Sequence, residues 1–250
     1  MAVTIVPTVL ANTEEEFGIK LKRLLAVSDE IQVDIMDGKF VPSQSISLNK
    51  IPDVSGWKNK RFEAHLMVEN PGAYLQPLAK RGFHRIIMHV ETLNERMFKN
   101  ILAQCKRYSL TPVLALNPET RVQKLLPYLG DVEGVVFLGV HPGFNGAPYL
   151  QETAGKIRLF VRECMNNKKI TPNKKIILQV DGGMTPETIS GVVAAGATRI
   201  NSGSYVSNAA NQKQALQLLQ IAASNSTVKT SKPRKSPRKL IKKTKPLSRH

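Results

Sequence analysis

The chain has 250 residues, 42% of them hydrophobic, enough to build a sizeable core and to exclude wholesale disorder. Its net charge of +17 is unevenly spread: residues 224–250 hold ten Lys/Arg and no Asp or Glu, while the rest, with 26 basic and 19 acidic residues, carries +7. Cys105 and Cys164 are too few for a disulfide framework and read as buried thiols of a reducing compartment. No apolar run approaches the ~18 residues of a membrane helix, and the first six residues lack the charged start of a signal peptide. A cytoplasmic protein without a membrane partner is expected.

Taken in chain order, β-branched runs at 4–10, 30–34, 61–67, 85–90, 112–116, 134–140, 175–180 and 199–202 predict eight strands. Between them, 14–27, 94–108, 121–129, 149–166, 186–195 and 211–223 predict helices. The first opens on Glu14, Glu15 and Glu16 and closes with Lys20, Lys22 and Arg23, which suits the helix dipole. Runs such as Val135-Val136-Phe137-Leu138 are apolar throughout, as in a parallel sheet buried on both faces. Eight β/α units of about 28 residues predict an α/β fold of the (β/α)₈ TIM-barrel type. The first strand runs into Pro7-Thr8-Val9-Leu10 with no G-x-G-x-x-G, which argues against a dinucleotide fold. The barrel domain is expected to occupy residues 1–223. Residues 224–250, rich in Ser, Pro and Lys/Arg, predict a disordered basic tail.

In a parallel barrel the chemistry gathers at the C-terminal ends of the strands. Asp34 ends the second strand, His65 lies on the third and Asp181 ends the seventh. Two carboxylates facing each other across a pocket can take a proton from one face of a carbon and return one to the other. A neighbouring imidazole adds a ligand for a divalent cation that polarises a carbonyl. His89, on the fourth strand, reads first as a structural histidine. Gly182-Gly183 and Gly203-Ser204 follow the seventh and eighth strands, where backbone N–H groups of such barrels bind phosphate. Gly143-Phe144-Asn145-Gly146 offers further donors and a ring able to cover the pocket.

The set V-D-I-M-D-G-x-F-V-P-S (33–43), H-L-M-V (65–68), H-P-G-F-N-G (141–146), V-D-G-G (180–183) and S-G-S (202–204) resembles the ribulose-phosphate 3-epimerase family, in the family's order. The resemblance covers residues 1 to about 223. It implies interconversion of D-ribulose 5-phosphate and D-xylulose 5-phosphate through an enediolate. Asp34 and Asp181 would be the acid/base pair and, with His65, ligands of one divalent cation. Thr8, His65, Gly143, Phe144, Asn145, Gly146, Gly182, Gly183, Gly203 and Ser204 would hold the sugar phosphate.

Several positions depart from the family pattern. Gln32 stands where the family has a metal-binding histidine. Its amide oxygen would be a hard fourth ligand, favouring Mg²⁺, Mn²⁺ or Fe²⁺ over Zn²⁺. Thr8 replaces a serine, Leu138 and Gly139 replace a methionine and a small hydroxyl residue, and Asn145 and Ala147 replace a glycine and a glutamine. These changes leave two alternatives: a related ketose such as a hexulose 6-phosphate, or a lapsed barrel whose tail binds nucleic acid. Decarboxylases on the same barrel carry D-x-K-x-x-D on the second strand, and Asp34-Ile35-Met36-Asp37 has no such lysine. The tail reads as a solvated segment, with weak polyanion or RNA contact as its other role. A homo-oligomer is left open.

Overall fold

The β-branched runs form eight parallel strands: β1 (Thr4–Val9), β2 (Glu30–Met36), β3 (Arg61–Met67), β4 (Arg85–His89), β5 (Thr111–Leu116), β6 (Gly134–Leu138), β7 (Ile177–Asp181) and β8 (Arg199–Ser202). They close in sequence order into a barrel, with β8 returning to pair with β1 through Thr4↔Arg199 to Pro7↔Ser202. This computed structural model describes residues 3–144, 146–166 and 175–230. The expected (β/α)₈ TIM barrel is therefore present. The disordered tail predicted for 224–250 lies partly outside the described residues: 231–250 are not among them, and 224–230 continue the last helix.

Around the barrel run α1 (Glu14–Leu25), α2 (Gly72–Lys80), α3 (Glu95–Arg107), α4 (Thr153–Asn166), α5 (Ile189–Ala194), the short α6 (Ser204–Ser207) and α7 (Gln212–Thr230). α1 begins where Thr13 accepts the Glu16 N–H at 3.2 Å and Glu16 reaches back to the Asn12 N–H at 3.0 Å, a capping box in all but one residue of register. Phe17, Leu21 and Leu24, three and four residues apart, bury its inner face. Asn94 caps α3 in the same way through the Met97 N–H. None of the described helices is long and apolar enough to cross a membrane.

Several elements differ from expectation, the short α6 among them, which no expected helix covers. α2 was not legible, because Gly72 and Pro77 read as turn residues, yet Leu75 and Leu78 are fully buried and outweigh the proline. The segment expected as an α-helix at 121–129 is a 3₁₀ helix, Val122–Tyr128. Val122, Leu125 and Tyr128 recur every three residues, the period of that tighter helix. α7 runs past Ala223 to Thr230, with Ser226 buried and its hydroxyl on the Ala222 carbonyl.

Most apolar side chains pack between the strands and the outer helices. A separate apolar cluster, Ile87, Val113, Ala115, Val136 and Leu138, comes from β4, β5 and β6. Facing it are polar residues of β2, β3, β4, β7 and β8: Gln32, Glu63, Arg85, Gln179 and Asn201, all buried. Gln179 Nε2 reaches Glu63 Oε1 at 3.0 Å, and β7 and β3 are not neighbours, so this bond crosses the barrel interior. The interior thus has an apolar half and a hydrogen-bonded half. Glu63 anchors the second, accepting from Arg85 Nη1 at 2.6 Å, Arg199 Nη2 at 2.9 Å and Asn201 Nδ2 at 2.9 Å.

Burial by itself would raise the Glu63 pKa, but the charges of Arg199 and Arg85 more than offset it and hold the carboxyl at about 2, down from 4.5. Because the folded value is depressed, the contribution to stability is complete above about pH 4.5 and drains away as the pH falls toward 2. Glu63→Gln takes the buried carboxylate from two guanidinium groups, leaving Arg85 only Glu133 and Arg199 only Glu30 as charged partners among the described residues, and is expected to cost about 3 kcal/mol near neutral pH. Urea unfolding at pH 7 and pH 3 checks this. The gap between wild type and variant should narrow at the lower pH; an equal gap would show that the ion pairs do not govern stability.

Candidate active site

The polar half of the interior leads upward to the C-terminal ends of the strands. Side chains alternate along a strand, so the residue two places after each buried polar group faces the same space. Asp34 follows Gln32 on β2, His65 follows Glu63 on β3, and Asp181 follows Gln179 on β7. The β2–β3 register sets Asp34 directly beside His65. The structure brings all three expected residues together, with ligand atoms within 4.8 Å of one another. The two aspartates are not simply opposed across the pocket. Gln32 Nε2 bridges them, donating to Asp34 Oδ1 at 2.8 Å and to Asp181 Oδ2 at 2.6 Å.

His65 Nδ1 lies 3.1 Å from Asp181 Oδ2 and 3.5 Å from Asp34 Oδ1, but neither contact is aligned as a hydrogen bond. Its other nitrogen meets His89 Nε2 at 2.9 Å, and His89 Nδ1 lies 3.4 Å from Glu91 Oε2. A proton on His89 Nδ1, drawn toward Glu91, makes His89 Nε2 the acceptor and His65 Nε2 the donor. The His65 Nδ1 lone pair is then aimed at the two carboxylates. His89 is buried, and its Nε2 meets the His65 ring from the side away from the carboxylates.

Two carboxylate oxygens and a buried nitrogen without a hydrogen-bond partner fit a divalent cation, with three ligands from Asp34, His65 and Asp181. The expected fourth ligand is not met by this geometry. Gln32 presents its nitrogen to the carboxylates, and its Oε1 accepts from Asn201 Nδ2 at 2.7 Å. The expected preference for Mg²⁺, Mn²⁺ or Fe²⁺ over Zn²⁺ rested on that oxygen and loses its support. The carboxylates also favour a proton on His65: burial lowers its pKa, but Asp181 and Asp34 outweigh this and raise it to about 10. A proton and a cation compete for one nitrogen. Burial pushes the Asp34 carboxyl up to about 6, His65 opposing and the Asp181 charge adding to the rise.

Above these groups lies a cavity of about 330 Å³. Of the expected substrate contacts, Thr8, His65, Gly143, Phe144 and Gly146 line it, as do Gly182, Gly183, Gly203 and Ser204. Asn145 lies outside the described residues. The Thr8 hydroxyl is buried without a hydrogen-bond partner among the described residues. Gly182 and Gly183 adopt φ of +96° and +69°, and a Cβ at Gly183 would stand 2.8 Å from Tyr149 Cβ, so this turn requires glycine. Phe144 is 59% exposed at the rim.

Sequence reasoning missed Lys20, which it assigned only to the end of α1. Lys20 lines the cavity, with Nζ on the Leu10 carbonyl at 2.7 Å and on Glu16 Oε1 at 2.6 Å. An ammonium has three hydrogens, so one remains for a ligand. It also missed the bridging role of Gln32. The resemblance singled out Gln32 as a possible oxygen ligand, and nothing local gave the sense of its amide.

A family model described as the ribulose-phosphate 3 epimerase family matches residues 4–207. A ribulose-phosphate 3-epimerase, cytoplasmic isoform, of Oryza sativa subsp. japonica is 30% identical over 233 residues, covering 92% of this chain and 98% of its own. A ribulose-phosphate 3-epimerase of Synechocystis sp. is 30% identical over 215 residues, covering 86% of this chain and 91% of its own. Among solved structures, the 3-keto-L-gulonate-6-phosphate decarboxylase from Vibrio cholerae aligns with a TM-score of 0.67 at 10% identity, covering 90% of this chain and 99% of its own. The 3-hexulose-6-phosphate synthase from Salmonella typhimurium aligns with a TM-score of 0.64 at 13% identity, covering 89% of this chain and 99% of its own. These two likenesses show the barrel alone. The match to the family model over most of its length, joined to the two relatives, makes this chain a member of the ribulose-phosphate 3-epimerase family, an epimerase among the isomerases.

Proposed function

We propose that the protein inverts C3 of D-ribulose 5-phosphate to give D-xylulose 5-phosphate, with Asp34 and Asp181 as the acid/base pair. The observation that carries this reading is the joining of two carboxylates and one imidazole at the floor of a cavity ringed by glycine turns. Inversion needs one proton shared between two carboxyl groups. The carboxylate takes the C3 proton as the C3–H electron pair moves into the enediolate. The other, protonated, carboxyl then delivers its proton to the opposite face of C3, and the pair ends with its protonation exchanged. Burial supports this division, since a carboxyl raised to about 6 at Asp34 can carry a proton near neutral pH.

A divalent cation on Asp34, His65 and Asp181 would supply positive charge beside the enediolate oxygens. The chain's own groups handle the rest of the substrate. N–H groups of the turns at Gly182-Gly183 and Gly203-Ser204 suit the phosphate, and Lys20 adds a positive charge on the same cavity wall. The buried, unpartnered Thr8 hydroxyl would bond a sugar oxygen, and the exposed Phe144 ring would cover the mouth.

Transfer of ribulose 5-phosphate into D₂O tests the reaction directly. The intact protein should exchange the C3 proton, and Asp34→Asn or Asp181→Asn should each lower exchange by about 10²- to 10⁴-fold. An intact protein that exchanges nothing would refute the assignment. Chelation should abolish turnover without unfolding, and added Mn²⁺ should restore it; full activity in chelator would remove the cation from the reading. Lys20→Met should raise KM by roughly 10-fold with kcat little changed, as loss of one charge-assisted hydrogen bond to the phosphate requires. A fall in kcat with KM unaltered would place Lys20 outside phosphate binding.

A further inference from the structure

The barrel interior contains a chain of three side-chain amides whose direction is fixed at its far end. Arg85 Nη1 donates to Gln179 Oε1 at 2.6 Å. A guanidinium can only donate, so the oxygen of Gln179 must face it and the nitrogen must face away. That nitrogen donates to Glu63 Oε1 at 3.0 Å and to Asn201 Oδ1 at 2.5 Å. Asn201 must then turn its own nitrogen onward, and it donates to Glu63 Oε1 at 2.9 Å and to Gln32 Oε1 at 2.7 Å. With its oxygen occupied, Gln32 presents both amide hydrogens to the aspartates, at 2.8 Å and 2.6 Å. Six amide hydrogens meet six acceptor contacts, and reversing any one amide would set donor against donor or oxygen against oxygen.

We infer that Gln32 is a positioning residue that clamps Asp34 and Asp181 together through its two N–H groups, and that Arg85, acting through Gln179 and Asn201, fixes which end of the Gln32 amide faces the site. Gln32 is therefore a donor to the carboxylates and not a ligand of the cation. Without the clamp, two carboxylates this close repel each other and each can swing to another rotamer. With it, both are held at one separation while the acid/base exchange proceeds. The inference rests on the proposed roles of Asp34 and Asp181, but its main readout, metal affinity, needs no sugar.

Gln32→Met keeps the size and removes both the donor and the oxygen. As an outer-shell support of two metal-binding carboxylates, the clamp predicts that Mn²⁺ affinity, measured by titration calorimetry, falls about 10- to 100-fold, and that kcat for epimerisation stays down about tenfold or more even at saturating Mn²⁺. A ligand role alone predicts the loss of affinity with kcat recovered once Mn²⁺ saturates. Asn201→Asp tests the relay. An aspartate at 201 cannot donate to Gln32 Oε1, so the Gln32 amide should turn its oxygen to the carboxylates, and Mn²⁺ should bind about 10-fold more tightly than to Gln32→Met while kcat stays low.

A Gln32→Met protein that keeps its Mn²⁺ affinity, or that recovers full kcat at saturating Mn²⁺, would overturn the clamp. A folded Asn201→Asp protein that binds Mn²⁺ no more tightly than Gln32→Met would overturn the relay, as would no Mn²⁺ uptake by either the intact protein or this variant. Should Asn201→Asp fail to fold, Gln32→Met decides on the clamp. The ¹H–¹⁵N signal lost in that variant then decides on the relay: in the intact protein both of its hydrogens should resist exchange with solvent, and rapid exchange would overturn it. Absence of C3 exchange in the wild type would defeat the epimerase reading without touching either result.

Discussion

The buried Glu63 carboxylate and the two guanidinium groups that hold it ionised are the constraint on which the polar half of the barrel depends. Ion pairs of this kind are weak evidence for net stability, because desolvation takes back much of what attraction supplies. Their value here is directional. A carboxylate that only accepts and an arginine that only donates give a polarity to every neutral amide between them. Three amides pass it upward by about one strand repeat, and it emerges as the two N–H bonds that hold the aspartates.

Much of this was legible in the sequence. Eight strands and their order followed from β-branched runs, and Asp34, His65 and Asp181 followed from strand ends. What stayed hidden has physical reasons. α2 was masked by Gly72 and Pro77, since burial of Leu75 and Leu78 outweighs local propensity and cannot be seen locally. The 3₁₀ helix was masked by a three-residue spacing close to that of an α-helix. Gln32 was expected to offer its oxygen to a cation, but the sense of its amide depends on Arg85, on another strand and two amides away. A pattern confined to one strand cannot report that.

The same barrel carries unrelated chemistry at 10 to 13% identity in the solved structures it resembles. The scaffold therefore does not decide the reaction. In this chain the candidate chemistry rests on a few inward side chains at the top of β2, β3 and β7. The apolar cluster from β4, β5 and β6 fills the other side of the interior, and the amides themselves are fully buried. A polar chain of this kind holds its direction only where water cannot supply a substitute partner.

The two-sidedness of the interior also bears on how such a site can diverge. On the apolar side, one residue can be exchanged for another of similar volume with only a local cost. On the polar side a single change reverses or breaks the sense of everything above it. A glutamine at position 32 is thus workable only beside a neighbour at 201 that donates to it, and that neighbour only beside one at 179 that donates in turn. Substitutions there are epistatic by geometry: the order in which they can accumulate is set by the end of the chain farthest from the substrate.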